Sequence, residues 1–259
     1  MDRKLFFAEL RKSLGSFSTL QVEGIEAILD GGKHLPISHM AYVLATSWHE
    51  TGTKMQPVTE NLNYSVDGLL KTFGRHRITE AQARRYGRTN NQPANQQVIA
   101  NIIYGGEWGL KNLGNTKVGD GWRYRGRGLP QITGLANYLK FGIADTPEKA
   151  GEMKTAVRLL IDGSVKGLYT GKKLSDFLPG DYVGARAVIN ADVKKNGALI
   201  AGYARSFENA LRAGGWNAIQ QKAPQPTIAT SVKPPVETAV KPSGWSALLA
   251  SILNLFKRT

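Results

Sequence analysis

The chain of 259 residues contains no cysteine. Disulfide bonds and thiolate metal sites are therefore excluded, and the fold must rest on side-chain packing. Histidine is scarce too, with four residues, and His49-Glu50 lacks the second histidine four residues on that the helix of a zinc hydrolase needs. We therefore expect no metal site.

Long hydrophobic runs are missing as well. No stretch reaches the roughly 18 apolar residues of a membrane-spanning helix. The N-terminal segment Met1–Lys12 interrupts its apolar residues with charges, unlike a signal peptide. We expect synthesis in the cytoplasm without a signal peptide.

Acidic residues are few, with 20 Asp and Glu against 34 Lys and Arg, a net charge of +14. This excess favours an anionic partner such as nucleic acid, acidic lipid or a cell-wall polymer. No nucleic-acid motif accompanies the one dense basic cluster, so we expect no nucleic-acid partner and interpret the cluster as a solvated helix face. Its members are Arg75, Arg77, Arg84, Arg85 and Arg88.

Helical periodicity dominates residues 1–218, which we predict to form one mainly α, lysozyme-like domain with long glycine-rich loops around a substrate cleft. Gly105 to Gly121 is predicted to be such a loop. The predicted helices are Asp2–Leu14, Thr19–Leu29, Ile37–Glu50, Ser65–Phe73, Glu80–Tyr86, Gln96–Tyr104, Ala136–Phe141, Pro147–Lys166, Tyr182–Asn190 and Ala198–Ala213.

The composition changes after this domain. Residues 219–243 are rich in Pro, Thr and Lys, as in a linker. Residues 244–259 place Trp245, Leu249, Ile252 and Phe256 on one face of a short amphipathic helix, which is too short to cross a bilayer. Three interpretations stay open: contact with a membrane or outer envelope, packing on its own domain, or docking on a partner.

The segment Tyr124–Thr133 combines glycines with hydrogen-bonding and aromatic side chains, and two of the glycines flank Arg127. Glycine permits unusual torsions and close approach of a ligand, so the segment indicates the floor of a polymer-binding cleft, although an ordinary basic turn has the same signature. Hydrogen-bonding groups come from Arg127, Gln131, Thr133 and Asn137, and sugar-stacking rings from Tyr124 and Tyr138.

The apolar helix Ile37–Glu50 delivers a glutamate at its C-terminal end, where Gly52 favours termination. A carboxyl half in an apolar wall, at the negative end of a helix, is expected to stay protonated and to serve as a general acid. An exposed glutamate without a role is the alternative for Glu50. His49 is predicted to support the helix or to orient Glu50.

A second carboxyl follows at Glu60. Pro57 interrupts helical structure, so Glu60 can fold back across a cleft from Glu50. Two carboxyls on opposite sides of a sugar allow one to protonate the leaving oxygen and the other to activate water. Alternatively, Glu60 caps the following helix, and Asp67 is the acid.

Taken together, these motifs resemble family 19 glycoside hydrolases, and their order and spacing resemble most the chitinase-like lysozymes that bacteriophages use as endolysins. The resemblance spans roughly residues 40 to 210. It is carried by His49-Glu50-Thr51, Glu60 to Ser65, Tyr104-Gly105-Gly106, Asp120 to Gly128, Gln131-Ile132-Thr133 and Ala187-Val188-Ile189-Asn190.

The resemblance implies Glu50 as general acid, Glu60 as general base and Thr133 as a residue that holds the attacking water. Gln131, Asn137 and Asn190 match positions that line the substrate cleft, and Arg205 loosely matches a buried arginine near the carboxylates. We also expect the following motif residues to contact the substrate: His49, Tyr64, Tyr104, Tyr124 and Arg127.

The activity implied is inverting hydrolysis of a β-1,4 bond between amino sugars, without a cofactor. The charge favours the anionic peptidoglycan of bacterial walls over chitin as substrate, for a monomer that reaches the wall after release or through a holin-like pore. A chitinase, or a non-catalytic protein of the wall or envelope, are the alternatives. Leu129-Pro130 and the short spacing from Glu50 to Glu60 depart from many relatives.

Overall fold

The computed structural model describes residues 1–217. The predicted linker and C-terminal amphipathic helix lie outside the described residues. The described part is mainly helical, which confirms the predicted fold class. Its α-helices are α1 Arg3–Leu14, α2 Thr19–Gly31, α3 Ile37–Glu50, α4 Val66–Thr72, α5 Glu80–Tyr86, α6 Gln96–Ile103, α7 Gly106–Leu113, α8 Asp120–Arg123, α9 Leu135–Lys140, α10 Met153–Lys166 and α11 Val193–Ala213.

Several predicted boundaries hold because local capping fixes them. The α5 helix begins after Thr79, whose side chain accepts from the backbone of Gln82 while the Gln82 side chain accepts from the backbone of Thr79. The predicted helix Pro147–Lys166 is divided, with a 3-10 turn at Pro147–Gly151 before α10. The predicted helix Tyr182–Asn190 is a shorter 3-10 segment, Gly184–Val188.

The prediction of a loop from Gly105 to Gly121 is wrong over most of its length, because α7 and the start of α8 occupy it. Glycine content suggested a loop, but the glycines serve as helix boundaries. Gly105 precedes the first turn of α7, and Gly114 ends the helix in the left-handed conformation with φ +69°. Leu113 and Trp108 anchor α7 on its neighbours.

Two hydrophobic cores lie under the helices. The larger one gathers side chains of α1, α2, α3, α10 and α11, and the smaller one those of α4 to α7. Helix α3 packs on both α10 and α11 and is buried on every face from Met40 to Trp48, which explains its near-continuous apolar sequence. Its last residue, Glu50, is therefore held in a fixed position, where the helix emerges from the larger core.

A two-stranded antiparallel ladder joins distant parts of the chain. Strand β1 (Val58–Thr59) pairs with β2 (Arg127–Gly128), with Thr59 opposite Arg127. Glu60 continues this ladder, since its backbone N–H donates to the Gly126 carbonyl at 2.8 Å. The ladder thus carries the second carboxyl to the glycine-rich segment.

In the part of the chain that the structure describes, no helix combines the length and the hydropathy that crossing a membrane requires.

Candidate active site

Glu50 lies in a buried ion-pair network. Its side chain is 1% exposed, and Arg186 Nη1 donates to its Oε1 at 2.5 Å. The same guanidinium binds both carboxylate oxygens of Asp192, through Nε at 2.5 Å and Nη2 at 3.2 Å. Glu50 Oε2 is buried without a hydrogen-bond partner in the protein. One oxygen is therefore fixed by Arg186, and the other has unused hydrogen-bonding capacity.

This network corrects the environment predicted for Glu50. The sequence suggested an apolar wall or an exposed last turn, and the structure instead places the side chain inside, against a guanidinium. Arg205, the predicted buried arginine, is exposed and lies with its guanidinium 6.0 Å from the Tyr182 ring. Arg186 is the arginine at the carboxylate. The two differ because Arg205 is on the solvent side of α11, whereas Arg186 belongs to the buried Gly184–Val188 turn.

Asp192 holds the far side of the guanidinium. Burial alone raises the pKa of this carboxyl, but the hydrogen bonds and charge of Arg186, the amide of Asn196 and the charge of nearby His49 outweigh it and hold the pKa below its ordinary value. His49 is half-buried next to this network. Its predicted role of orienting Glu50 stays a prediction.

Asn190 lies in the turn that carries Arg186, and its backbone N–H donates to the Arg186 carbonyl at 3.0 Å. The residue is fully buried, and neither its amide oxygen nor its amide nitrogen has a hydrogen-bond partner in the protein. Such unpaired groups are costly in a protein interior. The amide of Asn190 is thus able to receive a polar group of a ligand or a water molecule.

Glu60 lies at the edge of the smaller core and is 4% exposed. The Tyr104 hydroxyl donates to its Oε1, and the Gly126 N–H donates to Oε2 at 3.1 Å. Burial raises the pKa of Glu60, and these two hydrogen bonds, with the charges of Arg77 and Arg125, oppose the rise without cancelling it. A raised pKa makes a carboxylate a stronger base once it is ionised.

The structure supports neither alternative suggested for this region, which were Glu60 as a helix cap and Asp67 as the acid. Ser65, not Glu60, caps α4, because its hydroxyl accepts from the Gly68 N–H at 3.1 Å. Asp67 is exposed in the first turn of α4, outside both buried carboxyl clusters. Glu50 shares the buried Arg186 network with Asp192, and Glu60 is the carboxyl of the cluster with Tyr104.

Gly126 is the point where Glu60, Gln131 and Thr133 meet. A Cβ at Gly126 would lie 3.0 Å from Gln131 Oε1, 3.3 Å from Thr133 Oγ1 and 3.4 Å from Glu60 Cβ. No larger residue fits there without displacing the polar atoms. The glycine-rich segment therefore packs closely against Glu60, and its role as the floor of a cleft stays a prediction.

Gln131 and Asn137 hold this loop rather than face an open cleft. Gln131 has φ +52°, which is uncommon for a residue other than glycine, and its amide donates to the carbonyls of Val58 at 2.6 Å and Gly128 at 2.8 Å. Asn137 donates to the Thr133 carbonyl at 2.6 Å, and Thr133 Oγ1 donates to the Gln131 carbonyl at 3.2 Å. These bonds position the Thr133 side chain.

Arg127 and the two tyrosines of this segment are inside the protein. Arg127 donates to the carbonyl of Arg123 at 2.8 Å and to the hydroxyl of Tyr138 at 3.0 Å. Tyr124 and Tyr138 are 7% and 0% exposed, with ring centroids 5.4 Å apart. The two buried rings pack together at an interplanar angle of 50°, so the predicted stacking on sugars does not fit this arrangement.

Tyr64 and Tyr104 approach Glu60 from the smaller core. Tyr104 bonds the carboxyl directly and is itself held by Asn115, whose amide donates to the Tyr104 carbonyl at 2.9 Å. The Tyr64 hydroxyl is buried without a hydrogen-bond partner in the protein, and the nearby Glu60 carboxyl helps to raise its pKa, after the larger effect of burial. Both tyrosines contribute to the environment of the second carboxyl.

Replacing Tyr104 with phenylalanine tests this environment. The hydroxyl lowers the pKa of Glu60 against the effect of burial, so its loss should raise that pKa further. If Glu60 is a base, the acidic limb of the kcat/KM profile moves to higher pH, and activity falls more at acidic than at alkaline pH. A pH–rate profile measures this. Tyr64→Phe, which removes a hydroxyl not bonded to Glu60, is the matched control. If the acidic limb of the kcat/KM profile does not move in Tyr104→Phe, the assignment of Glu60 as the base is contradicted.

Sequence reasoning missed Arg186, Asp192 and the packing of Arg77. A lone arginine in the apolar run Ala185–Ile189 was a usable signal, because a charge in a buried segment requires a partner. Arg77 was assigned to a solvated face, but its guanidinium is half-buried and stacks on the Trp108 ring, 3.8 Å from the centroid. No pattern in the sequence predicts that Arg77 and Trp108 are in contact.

Within residues 1–217, no group of three or more His, Asp or Glu side chains is arranged to hold a metal ion. The polar atoms of the site are suited to hydrogen bonding and proton transfer. Two buried carboxyls in separate environments, Glu50 bonded to a guanidinium and Glu60 bonded to a tyrosine hydroxyl, are able to carry acid and base chemistry.

Comparison with known proteins adds one similarity. The chain is 44% identical over 101 residues to a glycosyl hydrolase family 19 domain-containing protein of Haemophilus influenzae (strain ATCC 51907 / DSM 11121 / KW20 / Rd). The aligned segment covers 39% of this chain and 46% of the relative, so the match spans less than half of either protein. No family model matches the chain. The relative confirms the resemblance that the motifs indicate, and it supports membership of glycoside hydrolase family 19.

Proposed function

We propose that the chain is a peptidoglycan hydrolase of the endolysin type, which cleaves β-1,4 bonds of the cell-wall glycan with inversion of configuration. The observation that carries the proposal is the convergence of Glu60, Thr133 and Gln131 on Gly126, in a protein that buries a second carboxyl, Glu50. A base and a hydroxyl side by side are the groups that an attacking water needs. The family similarity supports a glycoside hydrolase.

In the proposed reaction, Glu50 donates a proton to the leaving oxygen through Oε2, the oxygen that Arg186 leaves unoccupied. Glu60 removes a proton from water, which Thr133 Oγ1 holds for attack on the opposite face of the sugar. The C–O bond to the leaving sugar breaks as the bond to the water oxygen forms. The exchange of the two roles, with Glu60 as acid, is the competing assignment.

The preference for peptidoglycan over chitin rests on charge. The chain carries a net charge of +14, and a peptidoglycan strand carries carboxylates on its stem peptides, or on its lactyl groups where the peptide has been removed, whereas chitin is neutral. Both polymers present β-1,4-linked N-acetylglucosamine. The enzyme would act on the wall after release from the cell, or after passage through a holin-like pore.

Product analysis tests this function. Digestion of purified peptidoglycan should give fragments with a free reducing sugar, and NMR at early times should show the α anomer expected from inversion of a β bond. Mass spectrometry identifies the terminal sugar as muramic acid or glucosamine. An anhydro terminus would indicate a transglycosylase, faster cleavage of chitin oligomers a chitinase, and binding without cleavage a non-catalytic wall protein.

A further inference from the structure

A pocket of about 690 Å³ lies on the smaller core, between the turn that precedes α5 and the helices α6 and α7. Three cationic side chains line it, Arg75, Arg77 and Lys111, and Glu107 is its one carboxylate among the described residues. Trp108 and Asn101 also line it. The pocket therefore offers positive charge, hydrogen-bond donors and an aromatic surface together.

The cations of the pocket are only partly balanced by carboxylates, which are Glu107 in its lining and Glu60, whose charge acts on Arg77. Within residues 1–217, no salt bridge reaches Arg75, Arg77 or Lys111, although Glu80 beside the pocket is bonded to Arg84 at 2.7 Å. Three cations against one lining carboxylate give the pocket a net positive charge, which attracts anions.

Arg77 is built into the pocket rather than left in solvent. Its guanidinium stacks 3.8 Å from the Trp108 centroid and 5.4 Å from that of Tyr104, and its Nε donates to the Ile103 carbonyl at 2.9 Å. Its Nη2 is buried and has no hydrogen-bond partner in the protein. A stacked guanidinium keeps its N–H groups in one plane, suited to a planar carboxylate.

The pocket adjoins the proposed base. Tyr104 packs against Arg77 with its ring and donates its hydroxyl to Glu60. One side chain thus separates the pocket from the carboxyl that would activate water.

We propose that this pocket is a second binding site, which takes a carboxylate carried by the peptidoglycan strand and so selects the charged wall polymer over neutral chitin. This inference rests on the proposed function. The shared chemistry is a carboxylate, which the strand carries on its stem peptides or, where the peptide has been removed, on the lactyl groups of muramic acid. The stacked Arg77 forms the floor of the site, and Arg75 and Lys111 form its exposed rim.

The test uses the rim, since removal of Arg77 would disturb the core. The double variant Arg75→Ala/Lys111→Ala is compared with Lys4→Ala/Lys154→Ala, which removes the same charge from exposed positions on α1 and α10. Both are prepared in the full chain with Glu50→Gln, so that binding is measured without cleavage. The probes are soluble glycan strands with stem peptides, the same strands stripped of peptides, and chitooligosaccharides.

The rim variant should weaken binding of a carboxylate-bearing probe by about tenfold, as expected for two partly screened charge contacts. Binding of chitooligosaccharides should stay unchanged, and the control pair should have little effect. Loss only with intact strands identifies the peptide carboxylates, and loss with stripped strands identifies the lactyl groups. Equal weakening by both double variants, equal weakening for all three probes, or no weakening would overturn the proposal.

Cleavage of peptidoglycan by the unsubstituted chain is measured separately. Rim-dependent binding without cleavage would refute the hydrolase function and leave the anionic site standing. Cleavage without rim-dependent binding would refute the site alone.

Discussion

Replacing Glu50 with glutamine is expected to reduce peptidoglycan hydrolysis by on the order of 10²- to 10⁴-fold, the contribution typical of a general acid. Glutamine has the shape of glutamate, and its amide oxygen can still accept from Arg186, so the buried network should persist. The amide has no proton to give to a leaving oxygen. Release of reducing ends measures activity, and binding to sacculi should be retained.

The control for this substitution is Asp67→Asn. Asp67 is also an acidic side chain near a helix end, but it is exposed on α4, and its loss should leave activity within about twofold, as for an ordinary surface substitution. Full activity in Glu50→Gln, or a large loss in Asp67→Asn, would refute the assignment of Glu50.

An activated substrate separates the two carboxyl roles. A dinitrophenyl leaving group needs no protonation, so Glu50→Gln should cleave a dinitrophenyl amino-sugar glycoside nearly as fast as the unsubstituted chain. Glu60→Gln should be slow on this substrate as well as on peptidoglycan, because water still lacks its base. The opposite pattern would exchange the roles and make Glu60 the acid.

Much of the helical framework could be predicted because its signals are local. The α3 helix begins and ends at the predicted residues, since its long apolar run and Gly52 lie within one window of sequence. The start of α5 is fixed by the pair Thr79 and Gln82, three residues apart. The α7 helix was missed because its flanking glycines look the same whether they bound a helix or form a loop.

The candidate site was predictable in composition but not in arrangement. Motif order indicated Glu50, Glu60 and Thr133, and the structure places the last two around Gly126. The motif order did not indicate that Arg186 binds Glu50, because these residues are 136 positions apart and only the packing of the folded chain brings them together. For the same reason, Tyr124 and Arg127 look like ligand contacts in sequence although packing buries them.

Replacing Arg186 with methionine is expected to give the largest loss of stability in this region. The change keeps much of the side-chain volume but leaves the carboxyls of Glu50 and Asp192, which are 1% and 8% exposed, without their cation. Breaking a buried ion pair from one side typically costs about 3–5 kcal/mol in the free energy of unfolding. For a domain of this size, that corresponds to a decrease in Tm of about 10 °C, measurable by calorimetry.

Two comparisons distinguish the loss of charge balance from the loss of volume. Arg186→Lys keeps the charge but cannot bond both carboxyls with one planar fork, so its stability should be intermediate. Adding Glu50→Gln to Arg186→Met removes one unpaired carboxyl and should recover part of the Tm. Additive losses in that double variant would show that the two residues are not coupled.

The loss of Tm in Arg186→Met should also depend on pH, in a defined direction. The pKa of Asp192 lies below its ordinary value in the folded protein, so its contribution to stability is present above the ordinary carboxyl range and is lost as pH falls through the lowered pKa. Without Arg186, burial is left to raise that pKa, and the carboxyl can take up a proton at mildly acidic pH. The Tm difference between the unsubstituted chain and Arg186→Met should therefore be largest near neutral pH and narrow on acidification. A difference that stayed constant or grew would mean that the guanidinium stabilises the fold by packing and not by its charge.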